Sequence, residues 1–340
     1  MQETPVSGDA RPPAPAPARA RAWFAYLTYR SLGTAMAWLP ESVAVAASTA
    51  VGLVLTLFRR EARAMYARHV QRVAGPGLSE AEVRQCTRRA FLNYARYWLE
   101  AARLPTVPPE VVADRFIVES GYEHLVEGMA AGSGVIMALP HVGSWEWGGA
   151  WLALQGYPMT SVAEPLDPPE MYDWFVSQRA AMGLTIVPLG ADASPALLRA
   201  LRAGKLVGLL CDRDLTGTGV EVEFFGERMT MPGGPALLAL RTGAPILPTA
   251  VYSGPGRDHV AVIMPPVEVV RTGKLRDDVA RVTQLIADDL ARLIRRAPDQ
   301  WHLFQPNWPS DFAPAADRSA DPGPAVAMPG SNAAGNGSAA

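Results

Sequence analysis

The sequence predicts an α/β protein: a central, mostly parallel sheet of about seven strands with helices on both faces, preceded by an N-terminal helical hairpin. Three observations carry this. Beyond Pro105, short runs of apolar and β-branched residues follow one another, several apolar on both faces, the pattern of strands covered from both sides. Helical stretches separate them, as crossovers between parallel strands require. Before Pro105 the apolar spacing is helical, and 49% apolar residues in a chain of 340 supply the core of one large domain.

Taken in order, residues 1–20 are Pro/Ala-rich without periodicity, and residues 311–340 carry almost no large side chains; both read as disordered tails. One domain remains over 21–310, with a helical part (21–104) ahead of an α/β core (105–310). Within 23–58, Arg30 and Glu41 interrupt the most apolar region, and the longest uncharged run, 42–58, is at the short end of what crosses a bilayer. The preferred reading is a hairpin dipping into a membrane interface, with Trp23, Phe24, Tyr26, Tyr29 and Trp38 as interfacial aromatics flanked by arginines. A single span or a buried helix pair are the alternatives. From Arg59 to Arg103 the chain is helical and holds ten arginines, available to anionic headgroups or to solvent, with Ser79 as an N-cap before an acidic turn. Strands are expected at 116–118, 134–139, 160–163, 184–188, 206–210, 246–251 and 260–264. Helices are expected at 169–182, 194–203 and 275–296.

Charge narrows the function. Thirty-one Lys+Arg against thirty-three Asp+Glu leave a net −2, which offers no field for a phosphate backbone, so nucleic acid is not an expected partner. Cys86 and Cys211 match no metal or redox spacing, and no H-x3-H or H-E-x-x-H ligand set exists, so no metal is expected.

The chemistry concentrates at two strand ends. In Leu139-Pro140-His141-Val142-Gly143-Ser144-Trp145-Glu146, a histidine follows an apolar strand and precedes a helix, at the sheet edge where α/β proteins bind ligands. There it can act as a general base, with helix amides facing developing negative charge and Glu146 close to the imidazole or to a neighbouring arginine. Cys211-Asp212-Arg213-Asp214 leaves another apolar strand at what should be the same edge. Then follow Val220-Glu221-Val222-Glu223-Phe224-Phe225-Gly226, Met231-Pro232-Gly233-Gly234-Pro235 and the closing Trp301-His302-Leu303-Phe304-Gln305-Pro306-Asn307-Trp308.

This ordered set resembles the lysophospholipid acyltransferase superfamily over about Tyr26 to Trp308. Within it, the resemblance is to the branch of lipid A lauroyl/myristoyl acyltransferases and actinobacterial phosphatidylinositol mannoside acyltransferases, more closely the latter. The resemblance implies a glycerol-3-phosphate/lysophospholipid acyltransferase-like fold, with His141 as the catalytic histidine of an H-x4-D/E motif and Glu146 as its acidic member. It further implies that Asp212 orients His141, one methylene shorter than the glutamate common in the mannoside branch, and that Arg179 pairs with Glu146. Glu221 or Glu223 are the next candidates for the orienting role. Their alternation with Val222 and Phe224 equally fits a solvated strand edge. Arg213, Arg179, Glu221, Glu223 and Trp145 are the candidate substrate-binding residues, and Trp145, Trp147, Trp151, Met137 and Phe224 are candidates for an acyl groove.

The implied reaction is transfer from acyl-CoA, as co-substrate and without a cofactor, to a mannose hydroxyl of a phosphatidylinositol mannoside at the cytoplasmic face of the cell membrane. Another glycolipid or lysophospholipid acceptor, thioester hydrolysis, or lipid binding without transfer are the alternatives. No G-x-S-x-G elbow is present, so the hydroxyl is expected to attack the thioester directly.

Overall fold

A computed structural model describes residues 38–312 together with 23–24, 26–27, 30–31 and 33–35. Its helices are α1 (Glu41–Phe58), α2 (Arg60–Ala74), α3 (Glu80–Arg103), α4 (Pro109–Asp114), α5 (Tyr122–Ala130), α6 (Trp145–Leu154), α7 (Pro169–Ala181), α8 (Ala193–Arg202), α9 (Gly234–Thr242), α10 (Leu275–Arg296) and α11 (Pro309–Phe312). The strands are β1 (Phe116–Ser120), β2 (Val135–Leu139), β3 (Met159–Ala163), β4 (Thr185–Pro188), β5 (Leu206–Leu210), β6 (Val220–Phe224), β7 (Glu227–Met231), β8 (Ile246–Ser253) and β9 (His259–Ile263).

Seven strands form one sheet in the order β1-β9-β8-β2-β5-β3-β4, parallel at every pairing except β8 with β9. The fold class is the one expected, and each of the seven expected strands is a strand of this sheet. Both faces are covered. On β2, Val135, Met137 and Leu139 enter one apolar cluster with Leu125, Leu152 and Leu184, while Ile136 and Ala138 enter the opposite one with Leu201, Ile286 and Leu290. A period of two with no polar side is what a central strand under two helical layers demands.

Four expectations are corrected. The strand read over 220–225 is present as β6, but it pairs with β7 in a separate two-stranded hairpin, turned by Phe225 and Gly226 at φ 53° and 79°. Two successive left-handed residues match the strand twist, and β7 was not foreseen because its polar residues hide the alternation. Tyr26 is buried, whereas Trp23, Phe24 and Trp38 are exposed; Tyr29 lies outside the described residues. The expected C-terminal tail loses its first two residues to α11, where Asp311 is buried and ion-paired with Arg72; 313–340 and 1–20 lie outside the described residues. Several of the ten arginines serve the protein itself: Arg72, Arg89 and Arg96 pair with Asp311, Asp299 and Glu100.

Helix α1 packs on α3 through the small residues Ala44, Ser48 and Gly52. A Cβ on Gly52 would come within 3.0 Å of Leu92, so the approach is a backbone-close one. Val43, Val45, Val51, Val54, Leu57 and Phe58 point outward. Among the described residues α1 is the one helix long and apolar enough to cross a membrane.

Candidate active site

Strands β2 and β5 run side by side in parallel with Leu139 opposite Leu210. His141 and Asp212 each lie two residues beyond that last pair, so register alone brings a residue 71 positions away to the histidine. The shorter aspartate reaches: His141 Nδ1 donates to Asp212 Oδ1 at 2.6 Å, and the His141 backbone N–H donates to Oδ2 at 2.9 Å. A carboxylate only accepts, so Nδ1 is the donor in this contact, and Nε2 is the ring nitrogen that Asp212 does not engage. Asp212 is fully buried, and its Oδ2 also accepts from the Trp301 indole N–H at 2.6 Å. Burial alone would push this carboxyl up. The charge and hydrogen bond of His141, then the Trp301 N–H and the His141 amide, outweigh it and hold Asp212 below the ordinary aspartate range.

The turn into α6 is clamped at its backbone. The Gly143 N–H donates to Gln300 O and the Ser144 N–H to Val251 O, both at 2.9 Å. Gly143 has φ 60°, and a Cβ there would meet Val251 O at 2.0 Å, so both conformation and space require glycine. Ser144 occupies the N-cap position, yet its hydroxyl donates to Glu100 at 2.7 Å and does not cap the helix.

Glu146 turns toward the arginine. It is buried, and its Oε1 accepts from Arg179 at 2.8 Å and from the Tyr97 hydroxyl at 2.7 Å. Two carboxylates therefore divide the work, one on the histidine and one tying α6 to α7 and α3.

A cavity of about 420 Å³ opens beside His141. Leu139, Met159, Leu184, Ile186, Leu197 and Leu210 supply apolar wall, and Trp145, Glu146, Arg179, Arg213 and Glu164 line it as well. Trp145 stands edge-on to His141 with ring centroids 5.5 Å apart. Burial pushes the Glu164 carboxyl up, against the pull of Arg213. Glu221 and Glu223 are not in the site: both are exposed on β6, the first paired with Arg228 at 3.0 Å, and neither lines the cavity. This corrects their candidacy, because alternation turns Val222 and Phe224 inward in their place. Trp147 stacks on His259, Trp151 on Phe116 and Phe224 on Trp308; with Met137, they lie outside this cavity and belong to packed rings and core.

Three residues at the site are not placed there by local spacing. Tyr97 is one, on a helix whose pattern showed only a buried face. Trp301 and His302 are the others, carried by the strap after α10, and no local pattern ties that strap to residue 212. His302 is buried among Tyr94, Tyr97 and Trp145, and its Nε2 donates to Gly143 O at 3.1 Å. Burial pulls it down to about 3, so this second histidine stays neutral.

An imidazole held by a buried carboxylate beside a largely apolar cavity is a geometry suited to group transfer onto a hydroxyl. Residues 15–310 match the model of the bacterial lipid A biosynthesis acyltransferases, and the chain belongs to that family of acyltransferases. A phosphatidylinositol mannoside acyltransferase of Mycobacterium tuberculosis is 40% identical over 227 residues, covering 65% of this chain and 69% of the relative. The protein of the same name from Mycolicibacterium smegmatis is 38% identical over 229 residues, 66% of this chain and 73% of the relative. A lipid A biosynthesis acyltransferase of Haemophilus influenzae is 26% identical over 184 residues, 53% of this chain and 55% of the relative.

Proposed function

We propose that the protein transfers a long fatty acyl chain from acyl-CoA to a mannose hydroxyl of a phosphatidylinositol mannoside, with His141 as general base oriented by Asp212. The observation that carries the mechanism is the 2.6 Å contact between His141 Nδ1 and Asp212 at the mouth of an apolar cavity. The names of the mycobacterial relatives support the acceptor class. His141 Nε2 takes the hydroxyl proton as the oxygen attacks the thioester carbon; the tetrahedral oxyanion collapses, the C–S bond breaks, and the CoA sulfur leaves with the proton returned from Nε2. Asp212 stays ionised throughout and steadies the imidazolium. The apolar cavity shelters the chain from water, and the exposed apolar side of α1 rests on the membrane surface that holds the acceptor, at the cytoplasmic face.

The test is a product assay with palmitoyl-CoA and a phosphatidylinositol mannoside extract, read by lipid mass spectrometry for wild type and His141→Ala. One added acyl chain in wild type alone is the expected result. Free CoA without an acylated lipid would overturn the acceptor and favour hydrolysis, and a folded His141→Ala protein keeping more than about a tenth of the rate would overturn the base.

A further inference from the structure

We infer that Trp301 is a positioning residue of the acyl-transfer reaction: its indole N–H pins the second oxygen of Asp212, leaving the first to face His141. The inference rests on the His141–Asp212 reading and extends it to the strap after α10. Asp212 has no solvent-exposed surface, and a terminal carboxylate turns in a broad torsional well. Its two oxygens receive three donors, two of them from His141 itself. Trp301 is the one side-chain donor on that carboxylate, among the described residues, that does not move with the histidine.

The tryptophan is in turn held to the same turn that it serves. A β-bridge joins Trp301 to Val142, the His302 N–H donates to His141 O at 2.7 Å, and the Gly143 N–H returns to Gln300 O. The Tyr66 hydroxyl donates to Trp301 O at 2.8 Å. The indole lies among the rings of His69, Phe224, Phe225 and Trp308. Asn307 Nδ2, further along the strap, reaches Asp212 O at 3.1 Å. Base, carboxylate and strap therefore form one rigid unit, with the indole N–H as the connection from the strap to the reacting pair. A tryptophan kept for bulk alone would not need its nitrogen 2.6 Å from the carboxylate.

The test separates the N–H from the ring. Placing 3-benzothienylalanine at position 301 puts sulfur where the N–H was, at nearly the same shape, and Trp301→Phe is the encoded counterpart. The expected result is a kcat at least about tenfold lower, KM for acyl-CoA within about twofold, and an acid limb of the rate profile moved to higher pH, because a carboxylate that loses a donor holds the imidazolium proton more tightly. In an Asp212→Asn background the same replacement slows the enzyme by no more than about twofold, since the partner of the N–H is already altered. Losses that multiply in that background, with the acid limb unmoved in the single variants, would reduce Trp301 to packing and overturn the inference. A carbon-13 titration of the Asp212 carboxyl needs no substrate; it should move to higher pH in the benzothienyl protein, and no movement would overturn the inference even if the acceptor were misassigned. Full activity in Asp212→Asn would instead bring down the dyad reading itself.

Discussion

At the scale of single residues, the site depends on how closely two carboxylates are fitted. Asp212 lies between His141 and Trp301, each 2.6 Å away, with no exposed surface. Asp212→Asn keeps the shape and loses the charge that stabilises an imidazolium, so kcat should fall by about 10²–10⁴-fold, read in the lipid product assay with folding checked by thermal melting. Asp212→Glu adds a methylene to a closed space; it should cost roughly 1–3 kcal/mol of stability, checked by denaturant unfolding. Glu146 behaves differently because its partner is a cation. Arg179→Met leaves a buried carboxylate with only the Tyr97 hydroxyl, and should destabilise by about 2–4 kcal/mol. Adding Glu146→Gln should recover much of that loss, which a double-mutant cycle in denaturant measures. The histidine and both carboxylates were legible as residues at strand and helix ends. Their division of labour followed from resemblance alone, since H-x4-E is equally compatible with a His–Glu contact until the direction of α6 is known. Trp301 was invisible as a donor because its partner lies 89 positions away.

At the scale of elements, legibility follows the strength of the local signal. Helix α10 was readable to its ends, Leu275 and Arg296, from amphipathic spacing, and α3 from its start, where Ser79 and Glu82 form a reciprocal capping box. Ser79→Ala should cost about 1 kcal/mol by thermal or chemical unfolding without changing the rate of transfer. Strand β7 was not readable, because Glu227, Arg228 and Thr230 give it the texture of a loop and its pairing depends on the left-handed turn at Phe225 and Gly226. Helix α1 could be read as apolar but not as one-sided. Only the small stripe Ala44, Ser48 and Gly52 is buried, and the outward valines carry the membrane proposal. Replacing Val51 and Val54 by aspartate should leave unfolding nearly unchanged, since both are exposed. Cosedimentation with anionic lipid vesicles should weaken at least about tenfold; unchanged sedimentation would remove α1 from the membrane contact.

At the scale of the whole molecule, burial of ionisable groups sets a pH dependence of stability with a definite sign. His259 and His302 are both buried, and burial first, then neighbouring positive charge for His259, pulls each down to about 3. An unfolded histidine takes up its proton near pH 6.5. Between that value and about 3 the unfolded chain therefore binds protons that the native state refuses, so stability is fully present above pH 7 and is lost as pH falls through this window. Asp212 and Asp311, both held below the ordinary aspartate range, add their loss only at still lower pH, below about 4. Acid sensitivity should thus begin with the histidines. His259 isolates the effect: its ring stacks on Trp147 at 4.2 Å, neither ring nitrogen has a hydrogen-bond partner among the described residues, and Glu100 is 3.9 Å away. His259→Phe keeps the stack and forfeits no hydrogen bond. It should match wild type at pH 7 within about 1 kcal/mol and exceed it by about 2 kcal/mol at pH 5, measured by urea unfolding at the two pH values. A wild-type unfolding midpoint that does not move between pH 7 and pH 5 would show that these rings are hydrated in solution, and the rigid packing of α6 against β9 would then have to loosen to admit the water.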